Sequence, residues 1–137
     1  MNLADFYIDD FVVFDAPSLT KETVVGYIEE NILSKLFSEW ELVELNEMFE
    51  VQESDRIVEW HNDSKWGMNV TFLYYMSDMS PEVGGSISIR NGVDETKIYP
   101  KKGTLIMMSQ KKHVEHKAEY AKVKRHMFNI DFDVKGY

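Results

Sequence analysis

The sequence contains no cysteine. That absence removes disulfides, thiolate nucleophiles, zinc ribbons and iron–sulfur clusters together. Any metal must then be held by nitrogen and oxygen, and only four histidines are available: His61, His113, His116 and His126. No apolar run approaches the length of a membrane span. The first ten residues are acidic, not a basic leader before an apolar core. The expectation is a soluble, cytoplasmic protein. There is no internal repeat, low-complexity tract or linker. Positive charge is also short, with a net of −9, which argues against general nucleic-acid binding, whose affinity comes mainly from neutralising phosphates.

What is present suits one compact domain spanning residues 1–137. Two independent cores would each be marginal at this length. Hydrophobic residues make up 44% and aromatic ones 13%, enough for a sizeable core. The charge is unevenly divided. Residues 1–60 hold three basic and fifteen acidic residues, net −12, whereas Lys97–Arg125 holds nine basic and two acidic, net +7. Two solvated faces would account for this, and so would a basic rim around a site for an anionic ligand.

Along the chain, Asp5–Phe14 is aromatic and β-branched and reads as one strand or two short ones. Pro17 and Ser18 announce a helix whose apolar stripe is Val25, Ile28, Ile32 and Leu36, with Glu22 in its first turn and Lys35 in its last. From Trp40 onward the pattern is strand-like. Trp40–Leu45, Met48–Val51 and Arg56–His61 are short segments, followed by Met68–Met76, Ser86–Arg90, Thr96–Tyr99, Leu105–Met108 and Val123–Val134. Asn91-Gly92 and Pro100 to Gly103 mark turns. The intervening Asn62–Gly67, Ser77–Gly85 and Lys111–Lys124 read as loops. A helix followed by about eight short strands predicts a mainly β (α+β) jelly-roll or barrel-like sandwich, the helix packed against a sheet.

His61 and Asp63 stand two apart at the end of a predicted strand, so imidazole and carboxylate can converge on one ion. Alone the pair reads as a strand-end histidine beside a turn-capping aspartate. Downstream, His113 follows an apolar strand and Arg125 begins the last one. Two histidines and one carboxylate with open positions form the facial triad that suits non-haem Fe(II). An arginine nearby can pair bidentately with the far carboxylate of a dicarboxylic co-substrate.

Trp60-His61-Asn62-Asp63, Phe72-Leu73-Tyr74-Tyr75-Met76, Gly84-Gly85-Ser86, Pro100 with Gly103-Thr104-Leu105, Ser109 with His113, and finally Arg125 follow one another in an order that resembles Fe(II)/2-oxoglutarate-dependent oxygenases. The likeness is to the small prolyl-4-hydroxylase-like branch. It covers about residues 57–132 and implies a double-stranded β-helix (jelly roll) with one N-terminal helix packed against the sheet. It further implies Fe(II), 2-oxoglutarate and dioxygen, with His61, Asp63 and His113 as iron ligands. Arg125 and Tyr75 would hold the C5 carboxylate of 2-oxoglutarate. Ser109, four residues before His113, is the family's usual lead-in to the second histidine. His116 is the alternative, because it lies nine residues before Arg125, near the common family spacing. The implied reaction hydroxylates a C–H bond of a peptide or small molecule, peptidyl proline being the family-level expectation, with succinate and CO2 as co-products. Two other readings use the same scaffold: a non-catalytic jelly-roll binding module, and a cupin-like metalloenzyme that does not use 2-oxoglutarate. Arg125 separates the last, since a cupin has no need of a cation there.

Trp60 and Trp66 flank the histidine motif and suit either packing or the wall of a cleft. Asn69 and Asn129 are polar positions on predicted strands that could line a site. His126 falls on the opposite face of its strand from Arg125, as a structural or exposed residue.

Overall fold

The computed structural model describes residues 2–50 and 58–137. The strands are β1 (Phe11–Asp15), β2 (Trp40–Glu50), β3 (Val58–His61), β4 (Val70–Tyr75), β5 (Ile87–Arg90), β6 (Glu95–Ile98), β7 (Thr104–Ser109), β8 (Glu115–Ala118) and β9 (Arg125–Val134). They form a larger sheet in the order β1-β7-β4-β9-β2 and a smaller one in the order β3-β8-β5-β6. Every pairing within them is antiparallel. Two facing antiparallel sheets with the long last strand inside the larger one make a double-stranded β-helix.

The pleat of the larger sheet sorts its residues into two cores, because successive side chains point to opposite faces. Val70, Phe72 and Tyr74 of β4 and Phe128, Ile130 and Phe132 of β9 join the helices in the outer core. Leu73 and Tyr75 of β4 and Met127 of β9 meet Ile87 and Ile89 of β5 between the sheets. Each large apolar side chain so buried contributes about 1.5–3 kcal/mol. The inter-sheet core is the smaller of the two, and polar residues share its space.

The N-terminal helix forms where the apolar periodicity places it, but with an irregular middle. Helix α2 (Val24–Ile28) passes through a π-helical turn (Glu29–Leu33) into α3 (Ser34–Leu36). The wider turn carries an extra residue, so Val24, Ile28, Ile32 and Leu33 are the residues fully buried against the sheet. Val25 and Leu36, expected on that stripe, are only partly buried.

Three expected elements differ. Asp5–Asp9 is a short helix, α1, not a strand; Phe6 is buried against Tyr137, and Asp10 ends the helix in the left-handed region at φ 67°. Trp40–Leu45 and Met48 onward fuse into the single strand β2, which pairs with β9 along its whole length. Val51, Arg56 and Ile57, assigned to expected strands, lie outside the described residues. Finally, the segment 111–124 contains β8, whose residues Glu-His-Lys-Ala carry no apolar alternation to announce it. Among the described residues no helix is long and apolar enough to cross a membrane.

Candidate active site

Strand β3 ends at His61, which lies directly opposite His116 of β8 in the smaller sheet. Asp63 follows as the residue before a 3₁₀ turn (Ser64–Trp66). That placement brings three side chains together: His61 Nε2 is 3.7 Å from Asp63 Oδ1, and His116 Nε2 is 3.4 Å from Asp63 Oδ2. The two imidazole rings are 4.1 Å apart between centroids and inclined at 57°. One ligand atom from each of His61, Asp63 and His116 falls within a 4.8 Å group. Neighbouring ligands of an octahedral ion, about 2.1 Å from it, sit about 3 Å from one another, so a small contraction would close the group on a metal.

The surroundings hold these donors in place. His61 Nδ1–H donates to the Glu59 carbonyl at 2.8 Å, which leaves Nε2 as the lone-pair nitrogen facing Asp63. Asn62 donates its side-chain amide to three carbonyls, those of Val114 (2.6 Å), Lys111 (2.8 Å) and Gln110 (3.2 Å). The turn carrying Asp63 is thereby fastened to the segment leading into β8. The Asp63 backbone N–H donates to Gln110 Oε1 at 3.0 Å, and Gln110 Nε2 donates to Thr71 Oγ1 at 2.9 Å. His116 is buried, and its Nδ1 has no hydrogen-bond partner. A donor set of two imidazoles and one carboxylate, converging on one place, fits Fe(II).

Behind the three residues a cavity of about 310 Å³ runs between the sheets. Arg125 and Tyr75 line it, with Met48, Leu73, Ile87 and Met127 as apolar walls. Arg125 and Tyr75 are 4% and 2% exposed, so the guanidinium is set in a desolvated wall. A buried cation beside a low-dielectric cavity attracts an anion far more strongly than one at the surface. Tyr74 faces the other way, its hydroxyl donating to the Pro17 carbonyl at 2.8 Å and accepting from the Leu19 N–H at 3.0 Å. Of the tyrosine pair, one therefore anchors the N-terminal segment and the other lines the cavity.

Sequence-predicted residues thus divide. His61, Asp63, Arg125 and Tyr75 share one cavity, and His116 joins them there. His113, the expected second histidine, is elsewhere: it is half exposed, and its Nε2 lies 3.1 Å from Asp10 Oδ2 at the turn between α1 and β1. The reason is β8, which turns His116 inward at a register position facing His61 and leaves His113 in the turn before it. His126 lies outside the cavity, 2.9 Å from Glu47 and stacked on Phe49 at 4.0 Å. Asn69 is spent on the Val134 backbone, donating to its carbonyl and accepting from its N–H, each at 2.7 Å. Asn129 lines the cavity. Asn62 and Gln110 do structural work that no spacing announces, since an amide's three carbonyl partners lie about fifty residues away along the chain.

Asp131, outside this cavity, is a buried acid hydrogen-bonded by Thr71 at 2.7 Å and Asn129 at 3.0 Å. Burial pushes its carboxyl above the ordinary aspartate range, and the charges of Asp63 and Glu44 push the same way.

Residues 46–130 match the family model described as the 2OG-Fe(II) oxygenase superfamily. In fold the chain is similar to a prolyl hydroxylase from Trichoplax adhaerens, solved with a hypoxia inducible factor oxygen degradation domain peptide. The identity is 12% and the TM-score 0.73, over 95% of this chain and 86% of that one. It is similar also to a prolyl-4-hydroxylase from Pseudomonas putida, at 14% identity and a TM-score of 0.72, over 98% of this chain and 93% of that one. A third similar structure is the non-haem alpha ketoglutarate dependent epimerase SnoN of nogalamycin biosynthesis, at 11% identity and a TM-score of 0.65, over 95% and 80%. Among curated proteins none matches the sequence.

Proposed function

The chain belongs to the 2OG-Fe(II) oxygenase superfamily, which uses Fe(II), 2-oxoglutarate and dioxygen, and from that premise we propose that residues 1–137 act as one catalytic domain that hydroxylates a substrate C–H bond. The observation that carries this reading is the shared cavity, in which His61, Asp63 and His116 converge at one place and Arg125 and Tyr75 at another. In it His61, Asp63 and His116 would hold the iron. Bound Fe(II) supplies the redox chemistry that couples decarboxylation of 2-oxoglutarate to substrate oxidation, with succinate and CO2 as co-products.

The protein's own part is position. Arg125 pairs with the C5 carboxylate of 2-oxoglutarate and Tyr75 donates its hydroxyl to the same group, so the opposite end of the molecule reaches toward the three iron ligands. Leu73, Ile87 and Met127 exclude water along its carbon chain. The hydrogen bond from His61 Nδ1–H to the Glu59 carbonyl orients the ring so that Nε2 faces the iron position. A peptide, including peptidyl proline, or a small molecule is the substrate in this reading.

The test is anaerobic mixing of the purified protein with Fe(II) and 2-oxoglutarate, looking for the weak visible charge-transfer band of the chelate, and then admission of oxygen with succinate measured. A band and succinate are expected. Neither appearing would overturn the oxygenase reading in favour of a non-catalytic binding module. Arg125→Ala should raise the 2-oxoglutarate concentration needed for half-saturation by about 10- to 100-fold, the scale of a lost charge-assisted pair, with iron still bound. If that substitution changed nothing, Arg125 would not be the anchor of the C5 carboxylate.

A further inference from the structure

Beside the cavity that holds Arg125 and Tyr75 lies a second, of about 350 Å³, and the two share Asp63 and Asn129. Strand β9 fixes their relation. Arg125 and Met127 line only the first cavity, Asn129 lines both, and Asp131 lines only the second. A strand advances about 3.3 Å per residue, so Asp131 lies about 20 Å along β9 from Arg125. The second cavity therefore opens on the side of Asp63 away from the arginine, and it is half open to solvent at Trp66, which is 65% exposed.

Its chemistry is one-sided. The described residues lining it include Glu44, Asp63 and Asp131 and no lysine or arginine. Glu44 of β2 stands directly opposite Asp131 of β9 in the sheet. Two acids in that relation destabilise a sheet. The register slips between Leu42 and Glu44, the kind of bulge that re-aims a side chain beside an active site. Asp131 is 3% exposed, and its hydrogen-bond partners, Thr71 and Asn129, are both neutral. Iron and Arg125 on one side and Asp63 and the dianionic co-substrate on the other balance to zero, so Glu44 and Asp131 are left without an offsetting cation. Trp66 adds an aromatic face of the sort that attracts a cation.

We propose that this second cavity is the substrate subsite and that it selects a substrate bearing an ammonium or guanidinium group, held by Glu44 and Asp131 against Trp66. The inference rests on the oxygenase reading, since it is the sharing of Asp63 with the iron site that makes the cavity a place where a substrate would react. Glu44 is its specificity-determining residue. The cation belongs either to a free basic amino acid or to a basic side chain of a peptide, and both present the same group.

The experiment is equilibrium binding by calorimetry to the full chain loaded with Mn(II), a stand-in for Fe(II), and 2-oxoglutarate. The probes are free L-lysine, free L-arginine and a blocked lysine-centred pentapeptide, with norleucine and L-glutamate as controls. At least one cationic probe should bind about tenfold or more tightly than norleucine, the scale of one charge-assisted hydrogen bond. L-glutamate should bind no better than norleucine. A free amino acid binding without the pentapeptide, or the reverse, identifies the source of the cation. Glu44→Gln should weaken the cationic probe by about tenfold on the same ground while leaving 2-oxoglutarate affinity unchanged. The proposal is overturned if norleucine or glutamate binds as well as the cations. It is equally overturned if no probe binds while 2-oxoglutarate does, or if Glu44→Gln has no effect. The oxygenase reading fails in a separate way: 2-oxoglutarate would not bind and no succinate would form, whether or not a Glu44-dependent cation site remained.

Discussion

His113 and His116 differ by three positions and have opposite surroundings. His116 is buried, faces His61 and has Asp63 3.4 Å away; His113 is paired with Asp10 at the surface. The two alanine substitutions should therefore separate cleanly. His116→Ala removes one of three proposed iron ligands, and succinate formation should fall by more than about 100-fold, beyond the effect of losing a residue that merely supports a ligand. His113→Ala should keep activity within about twofold and cost less than about 1 kcal/mol of stability, as exposed ion pairs do. Succinate release and a denaturant midpoint measured on both variants check this. Tyr137 offers a second residue-scale expectation. Burial, only partly opposed by the Ser109 hydroxyl 2.7 Å away, which can donate to the phenolate, pushes its phenol up to about 12. An unfolded tyrosine titrates near about 10. A group whose folded value is raised contributes stability below its unfolded value and loses it as pH climbs toward the folded one. Between about pH 9 and 11.5 the wild-type melting temperature should thus fall further than that of Tyr137→Phe, which has no such proton to lose.

At the scale of elements, the site depends on how a turn is tied to a strand. Asn62 connects the turn bearing Asp63 to the carbonyls of Gln110, Lys111 and Val114, immediately before β8. Asn62→Ala should destabilise the fold by about 1–3 kcal/mol, since two partly buried acceptors and one exposed one lose a shared donor. It should also weaken iron binding by about 10- to 100-fold, in the manner of a lost supporting contact. Chemical denaturation and Fe(II) titration read the two effects separately. The same element explains what the sequence shows and what it hides. The alternation in Met68–Met76 assigns Tyr74 and Tyr75 to opposite faces, as found, because β4 is a central strand with both faces packed and its side chains are strongly apolar. The helix stripe is readable for the same reason, up to the π-helical turn that slips its phase. Strand β8 is not readable: Glu115, His116, Lys117 and Ala118 contain nothing β-prone, and their pairing is imposed by β3 and β5 on either side. Without β8, the Ser109 lead-in points to His113; with it, the inward position belongs to His116. Register decides as well for Glu44, whose place opposite Asp131 depends on a one-residue bulge that no local pattern encodes.

Across the whole molecule the division of charge takes a form different from a basic rim. Four of the eight lysines of the net-positive stretch are engaged elsewhere: Lys97 pairs with Glu119 at 2.8 Å, Lys117 lies over Trp60 at 4.9 Å, Lys111 over Tyr137 at 4.3 Å and Lys124 over Phe49 at 4.6 Å. Among the described residues lining the inner cavity, Arg125 is the one lysine or arginine. An exposed rim and a single buried guanidinium have different salt behaviour. Charges at the surface act across water and are screened once they are more than a Debye length apart, about 10 Å at 0.1 M and 3 Å at 1 M. A buried pair in contact, inside walls that exclude water and ions, is screened much less. The affinity for 2-oxoglutarate should therefore change by less than about threefold between about 0.05 and 0.5 M sodium chloride. Attraction by a rim of lysines would instead lose an order of magnitude or more. Calorimetric titration of 2-oxoglutarate into the Mn(II)-loaded protein across that range decides between them. A steep salt dependence would mean that the lysines, and not Arg125 alone, draw the dianion in.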